Sequence, residues 1–134
     1  MTTKLKIASD TENLRIVEKA IDDITASENI SYTCYGKIMV SVMEAVNNAV
    51  VHGNKSQPGK FVDVSLKCEE DKLTVTIRDE GPGFVPNEIP DPTLPENIEK
   101  DSGRGVFLMK KLADEVRFSE KGNEVILEFN NISV

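Results

Sequence analysis

Apolar and polar positions alternate or recur along this chain in ways that predict its elements. Lys4 to Ala8 alternates and predicts a short strand. Ser9 or Asp10 can cap a following helix, with Glu12 in its first turn. Leu14, Val17, Ile21 and Ile24 then form an apolar stripe at helical spacing. Asn29-Ile30-Ser31 reads as a break. A longer helix is predicted from about Tyr32 to His52, its buried side supplied by Tyr35, Ile38, Met39, Val42, Val46, Ala49 and Val50. Gly53-Asn54 is expected to end it in a left-handed cap. Val62, Val64, Leu66 and Cys68 alternate with polar residues, Glu70-Asp71 turns the chain, and Leu73, Val75 and Ile77 alternate again. That pattern predicts a hairpin with one covered face.

Periodicity vanishes from Gly81 to Gly103, where Pro82, Pro86, Pro90, Pro92 and Pro95 fall. A stretch this long without a regular element predicts a functional or mobile segment, here a lid. Val106 to Leu112 reads as a short helix. Val116 and Phe118 start a strand, Lys121-Gly122-Asn123 turns, and Val125, Leu127 and Phe129 alternate in the last strand. The order β-α-α-β-β-lid-α-β-β predicts an α+β two-layer sandwich, a mostly antiparallel sheet covered on one face by helices.

Length narrows this to one domain spanning residues 1–134, large enough to bury a core without disulfides or structural metal. A net charge of −7 with no Lys/Arg cluster argues against a nucleic-acid binder, which needs a basic face. It leaves nucleotide binding open, since backbone amides and a few cations suffice for phosphates. No apolar run reaches the length of a membrane span, and the N-terminal residues lack the apolar core of a signal peptide. Cys34 and Cys68 fall in different predicted elements without metal-ligand spacing, so they read as reduced thiols and the compartment as cytoplasmic.

Three motifs carry chemistry. Glu44, Asn48 and His52 recur every four residues and share a helix face, continued by Lys37 and Ser41. Asn48 offers a hard oxygen suited to Mg²⁺, and Glu44 can accept a proton or orient a water. The same stripe is equally a solvated face, and His52 alone reads as a helix-end residue favoured by the dipole. Asp79 ends a strand and is followed by Glu80-Gly81-Pro82-Gly83. A carboxylate fixed there can accept from an exocyclic amino group, while the glycines let the backbone approach a ligand. The alternative is a plain Asp-Gly-type turn. Gly103-Arg104-Gly105 precedes the predicted third helix, where free amides can meet phosphate and Arg104 can pair with a phosphate oxygen.

On these residues the chain resembles the GHKL ATPase/kinase superfamily with its Bergerat ATP-binding fold. Glu44…Asn48…His52-Gly53 resembles the N box, Asp79-Glu80-Gly81-Pro82-Gly83 the G1 box and Gly103-Arg104-Gly105 the G2 box. The bare single-domain length and the short lid are similar to the anti-sigma-factor serine kinases of the RsbW and SpoIIAB kind. The resemblance implies ATP and Mg²⁺ as cofactors. It implies Asn48 as the Mg²⁺ ligand, Glu44 as general base, and Asp79 as receiver of the adenine amino group. Gly81 and Gly83 would shape the adenine pocket, Gly103, Arg104 and Gly105 would wrap the phosphates, and His52 falls in the nucleotide-binding set. The implied partners are a sigma factor and a STAS-type anti-sigma-factor antagonist, with a homodimer common in the group. Relatives carry threonine after the glycine of the last turn; Asn123 stands there and takes the adenine-end position. Near the first helix the family presents an arginine to its partners; Arg15 lies nearby, with Glu18 as the other candidate for that position.

Three function classes fit this outline. One is a protein-serine kinase that switches a sigma factor. The second is a regulatory module that holds ATP with little or no kinase activity. The third is a detached histidine-kinase catalytic domain, disfavoured because His52 is the single histidine and no phosphoacceptor hairpin is present. Glu44 favours the first, since a pure binder needs no base.

Overall fold

The computed structural model describes residues 1–81 and 101–134, with side chains described for 1–81 and 106–134. Gly83 and most of the expected lid lie outside the described residues. The observed elements are β1 (Thr2–Ala8), α1 (Leu14–Ser27), α2 (Tyr32–Asn47), β2 (Phe61–Glu69), β3 (Lys72–Arg78), α3 (Asp101–Leu112), β4 (Glu115–Phe118) and β5 (Glu124–Asn130). Their order is the expected one. The strands form a five-stranded sheet in the order β1-β2-β3-β5-β4, every neighbouring pair antiparallel. This is the α+β sandwich read from the sequence.

Alternation builds the sheet. Val62, Val64 and Leu66 of β2, Leu73, Val75 and Ile77 of β3, and Leu127 and Phe129 of β5 are buried on one face. Val17, Ile21 and Ile24 of α1 and Ile38, Val42 and Val46 of α2 complete the core. Each such side chain contributes about 1.5–3 kcal/mol of burial. The opposite face is polar: Lys6, Asp63, Arg78 and Glu124 stand in register across four strands. Glu70 and Asp71 both take positive φ, 49° and 65°, which fits the tight hairpin between β2 and β3.

One alternative is resolved and three expectations shift. Asp10, not Ser9, caps the turn before α1, its carboxylate accepting from the Glu12 N–H at 2.9 Å. Ser41 does not extend a polar stripe; it is fully buried and its hydroxyl donates to the Lys37 carbonyl at 2.7 Å. The long helix does not stop at Gly53-Asn54 in a left-handed cap. It widens into a π-helical turn over Asn48–Gly53, Asn54 stays right-handed, and Lys55 and Ser56 take the positive φ values, 53° and 52°. Finally, α3 starts at Asp101 instead of Val106, so Gly103 and Gly105 lie inside it. Glycine lowers helix propensity without forbidding it, and Val106 and Met109 are buried, so packing carries this helix.

Candidate functional site

The π-helical turn at the end of α2 brings the first two motifs together. The Asn54 N–H donates to the Ala49 carbonyl at 2.8 Å, and that of Ser56 to Val50 at 2.9 Å. Such wide turns occur mostly as single-turn bulges in α-helices, frequently at functional sites. This one carries Gly53 against the end of β3. A Cβ on Gly53 would overlap the Asp79 carboxyl group, and one on Gly81 would overlap the Gly53 carbonyl. Glycine at 53 therefore serves close approach and not a left-handed cap.

Asp79 is fixed from several sides. Its N–H donates to the Asn123 carbonyl at 2.9 Å, and the Asn123 side-chain amide donates to the Asp79 carbonyl at 3.1 Å. The Gly81 N–H donates to Asp79 Oδ1 at 2.7 Å. Burial pushes the Asp79 carboxyl above the usual aspartate range; the Gly81 N–H and the charges of Lys121 and Lys60 act the other way. An ionised Asp79 is thus a half-desolvated acceptor whose carboxylate meets only the Gly81 N–H among the described residues.

A cavity of about 190 Å³ opens beside it. Asn48, His52 and Gly53 of the π-helical turn, Ile77 of β3 and the Asp79 that follows it, Val106 and Met109 of α3, and Phe118, Gly122, Asn123 and Val125 around the last turn line it. The lining is mainly apolar with a few convergent polar groups, the usual character of a small-ligand site. The structure thus brings Asn48, His52, Asp79 and Asn123 to one place. Glu44 stands one turn before Asn48, half-buried and outside the cavity wall. Gly81 lies buried behind Asp79. Gly103, Arg104 and Gly105 fall in the opening turns of α3, where Gly103 and Arg104 are among the first four residues, whose N–H groups lack an intrahelical acceptor.

Sequence reading missed the support behind this wall. Asn54 is buried; its Oδ1 accepts from the Glu80 N–H at 2.7 Å and its Nδ2 donates to Ser9 Oγ at 2.8 Å and the Phe61 carbonyl at 2.9 Å. Ser9 Oγ in turn donates to the Lys60 carbonyl at 2.7 Å, and the Glu80 carboxylate accepts from the Phe61 N–H. Asn54 reads from sequence as a helix stop, and nothing local marks it as buried. The apolar wall residues Val106, Met109 and Phe118 read as ordinary core.

The sequence matches the histidine kinase-like ATPase domain over residues 7–129. The chain belongs to this family. As a histidine kinase-like ATPase domain it is 25% identical over 130 residues to serine-protein kinase RsbW of Oceanobacillus iheyensis, covering 92% of this chain and 82% of that protein. It is 39% identical over 82 residues to an anti-sigma F factor of Bacillus cytotoxicus, covering 60% of this chain and 56% of that protein. A solved structure of the RsbU and RsbW domains of a Mycobacterium tuberculosis protein superposes with a TM-score of 0.64 at 16% identity, over 97% of this chain and 32% of that one. That likeness supports the fold. No helix among the described residues is long and apolar enough to cross a membrane.

Proposed function

We propose that this ATPase domain is an ATP-dependent protein-serine kinase and anti-sigma regulatory factor. It phosphorylates a STAS-type anti-sigma-factor antagonist and, when unopposed, sequesters a sigma factor in the cytoplasm. The single observation that carries the nucleotide part is Asp79. A half-desolvated carboxylate in the lining of a mainly apolar cavity, packed against Gly53 and bonded by the Gly81 N–H, is suited to accept from a flat, amino-bearing base. The relatives are a serine-protein kinase and an anti-sigma factor, and those activities come to this chain as part of this proposal.

The residues present fit ATP and Mg²⁺. The cavity offers an apolar slot for the base, the Asp79 carboxylate for its amino group, and Asn48 in the same lining. Mg²⁺ needs only one or two protein oxygens when phosphates supply the others; Asn48 is the candidate here. When bound, the metal would neutralise phosphate charge. Gly81 shapes the base pocket, with Gly83 as the further candidate. The free N–H groups of Gly103 and Arg104 in the first turn of α3, with Gly105 next in sequence, are the candidates to meet phosphate. His52 and Asn123 line the cavity. Asn123 uses its amide on the Asp79 carbonyl, so its contribution is to brace Asp79. Glu44 is the proposed base that takes the serine proton.

One observation favours a second reading. Glu44 lies outside the cavity wall, which suits a module that holds ATP as a structural ligand and transfers phosphate slowly or not at all. Incubation with Mg-ATP and a STAS-domain partner, read as phosphoserine on that partner, separates the two. Tight ATP binding without label on any partner it binds selects the module. The proposed assembly is a single domain that pairs with itself; sedimentation in the presence and absence of partner reads this directly.

A further inference from the structure

Asp79 does not hold its own position. The turn that carries it, Asp79-Glu80-Gly81, leaves the end of β3 and must meet Gly53 at a separation closed to any side chain. Both sides of that contact lead to one residue. Asn54 follows Gly53 in sequence, and Glu80 follows Asp79. The Glu80 N–H donates to Asn54 Oδ1 at 2.7 Å. The same amide donates through Nδ2 to Ser9 Oγ and to the Phe61 carbonyl, at 2.8 and 2.9 Å. One buried side chain therefore ties together the end of β1, the start of β2, the π-helical turn and the turn after β3.

The amide has one possible orientation. Flipping it would set its NH₂ against the Glu80 N–H and its oxygen against the Phe61 carbonyl. All of its described contacts are satisfied, and its exposure is 1%. A second clamp runs parallel to it, since the Glu80 carboxylate accepts from the Phe61 N–H. Buried polar groups that meet all their partners fix one geometry.

We propose that Asn54 is the positioning residue of this site: through Glu80 it sets how closely Asp79 is pressed against Gly53, and thereby the affinity for an adenine nucleotide. The affinity half rests on the nucleotide reading given above; the geometric half does not. Asn54 touches no ligand in this scheme and lies outside the cavity lining. Its action passes through the backbone of Glu80.

The test uses the full chain and the variant Asn54→Ala, with Val17→Ala as a control that loses stability from the core of α1, away from the turn. Two quantities are read at a temperature where far-UV circular dichroism shows each variant folded. One is the ADP dissociation constant by calorimetry with Mg²⁺. The other is the titration midpoint of Asp79 in the nucleotide-free protein, by carboxyl ¹³C NMR. Asn54→Ala should weaken ADP by about tenfold, the scale of one displaced hydrogen bond. It should also bring the Asp79 midpoint down toward the ordinary aspartate range as water reaches the carboxylate. Val17→Ala should change neither. If Asn54→Ala does not fold, Asn54→Ser, whose shorter side chain cannot span Glu80 and Phe61 together, takes the same measurements.

An unmoved Asp79 midpoint overturns the proposal whatever the affinity does. A moved midpoint with unchanged ADP affinity overturns the link from position to binding. An equal effect in Val17→Ala overturns it as well, because a general loss of stability then explains both. If wild type binds no adenine nucleotide while the midpoint still moves, the positioning role stands and the nucleotide reading falls.

Discussion

Asp79→Asn probes the site with the smallest change of shape. Asparagine can keep an oxygen in place of Oδ1 and so retain the Gly81 N–H bond of 2.7 Å. The other oxygen becomes an NH₂ group. Where the wild-type carboxylate would accept from an adenine amino group, the variant presents a donor to a donor. Losing one charge-assisted hydrogen bond costs about 1.5–3 kcal/mol, roughly a tenfold to hundredfold loss of affinity. The donor–donor contact places the expectation at the upper end. The empty protein should respond in the opposite sense. Burial raises the Asp79 pKa, so the charged form is the strained one. A group whose folded pKa lies above its unfolded value contributes stability fully below the unfolded pKa and loses it as pH rises through the folded pKa. Above its folded pKa the ionised Asp79 therefore destabilises the fold, and there Asp79→Asn should melt no lower than wild type. The gap in Tm should close as the pH falls into the range where Asp79 is protonated. Calorimetric titration with Mg-ATP and scanning fluorimetry across pH read the two halves. Equal ATP affinity would remove Asp79 from the base pocket. A variant that melts well below wild type above that pKa would refute the claim that its charge is held at a cost to the fold.

Gly53→Ala should disturb both stability and binding, because its Cβ would overlap the Asp79 carboxyl group. A loss of about 1–3 kcal/mol, the usual scale of overpacking, is expected by urea denaturation, with ATP weakened in parallel; an unaffected affinity would mean that Asp79 can move freely. Asn48→Ala should weaken both Mg-ATP binding and phosphoryl transfer. Glu44→Ala should leave binding intact and lower transfer by about 10²–10⁴-fold, the usual scale of a general base; transfer at the wild-type rate would exclude Glu44 from that role.

The sheet was legible because its alternation is clean. Val62, Val64 and Leu66, and Leu73, Val75 and Ile77, each face one way without interruption, and the structure buries all six. Ser41 escaped because a serine hydroxyl can satisfy itself on the carbonyl four residues back, so a polar letter on a helix need not mark an exposed face. The end of α2 escaped for a related reason. Gly53-Asn54 matches a left-handed stop, yet both residues are set by contacts distant in sequence: Asp79 and Gly81 for the glycine, Ser9, Phe61 and Glu80 for the asparagine. Local rules cannot register such constraints. The motif residues were legible by spacing, but which of them share a cavity depended on the π-helical turn, and no propensity scale signals one. The start of α3 was placed too late because two glycines lowered its propensity, while the burial of Val106 and Met109 that holds it is tertiary.

The alternative of a plain Asp-Gly turn at the end of β3 makes a definite claim about Asp79. A turn aspartate faces water, keeps an ordinary pKa and tolerates any small neighbour. In this chain the carboxyl group points at a backbone stretch where no side chain fits, loses solvent, and has its pKa raised by that loss. Gly53 gives up helix propensity at the same point, by about 1 kcal/mol relative to alanine. The helix that carries it departs from α-geometry over Asn48–Gly53, and the buried Asn54 side chain is committed to Ser9, Phe61 and Glu80. Each of these features is a constraint that a plain turn does not require. Their convergence on one carboxylate in the lining of one cavity favours the proposed ligand site over a plain turn. A ligand that needs a desolvated acceptor at that point accounts for all of them together.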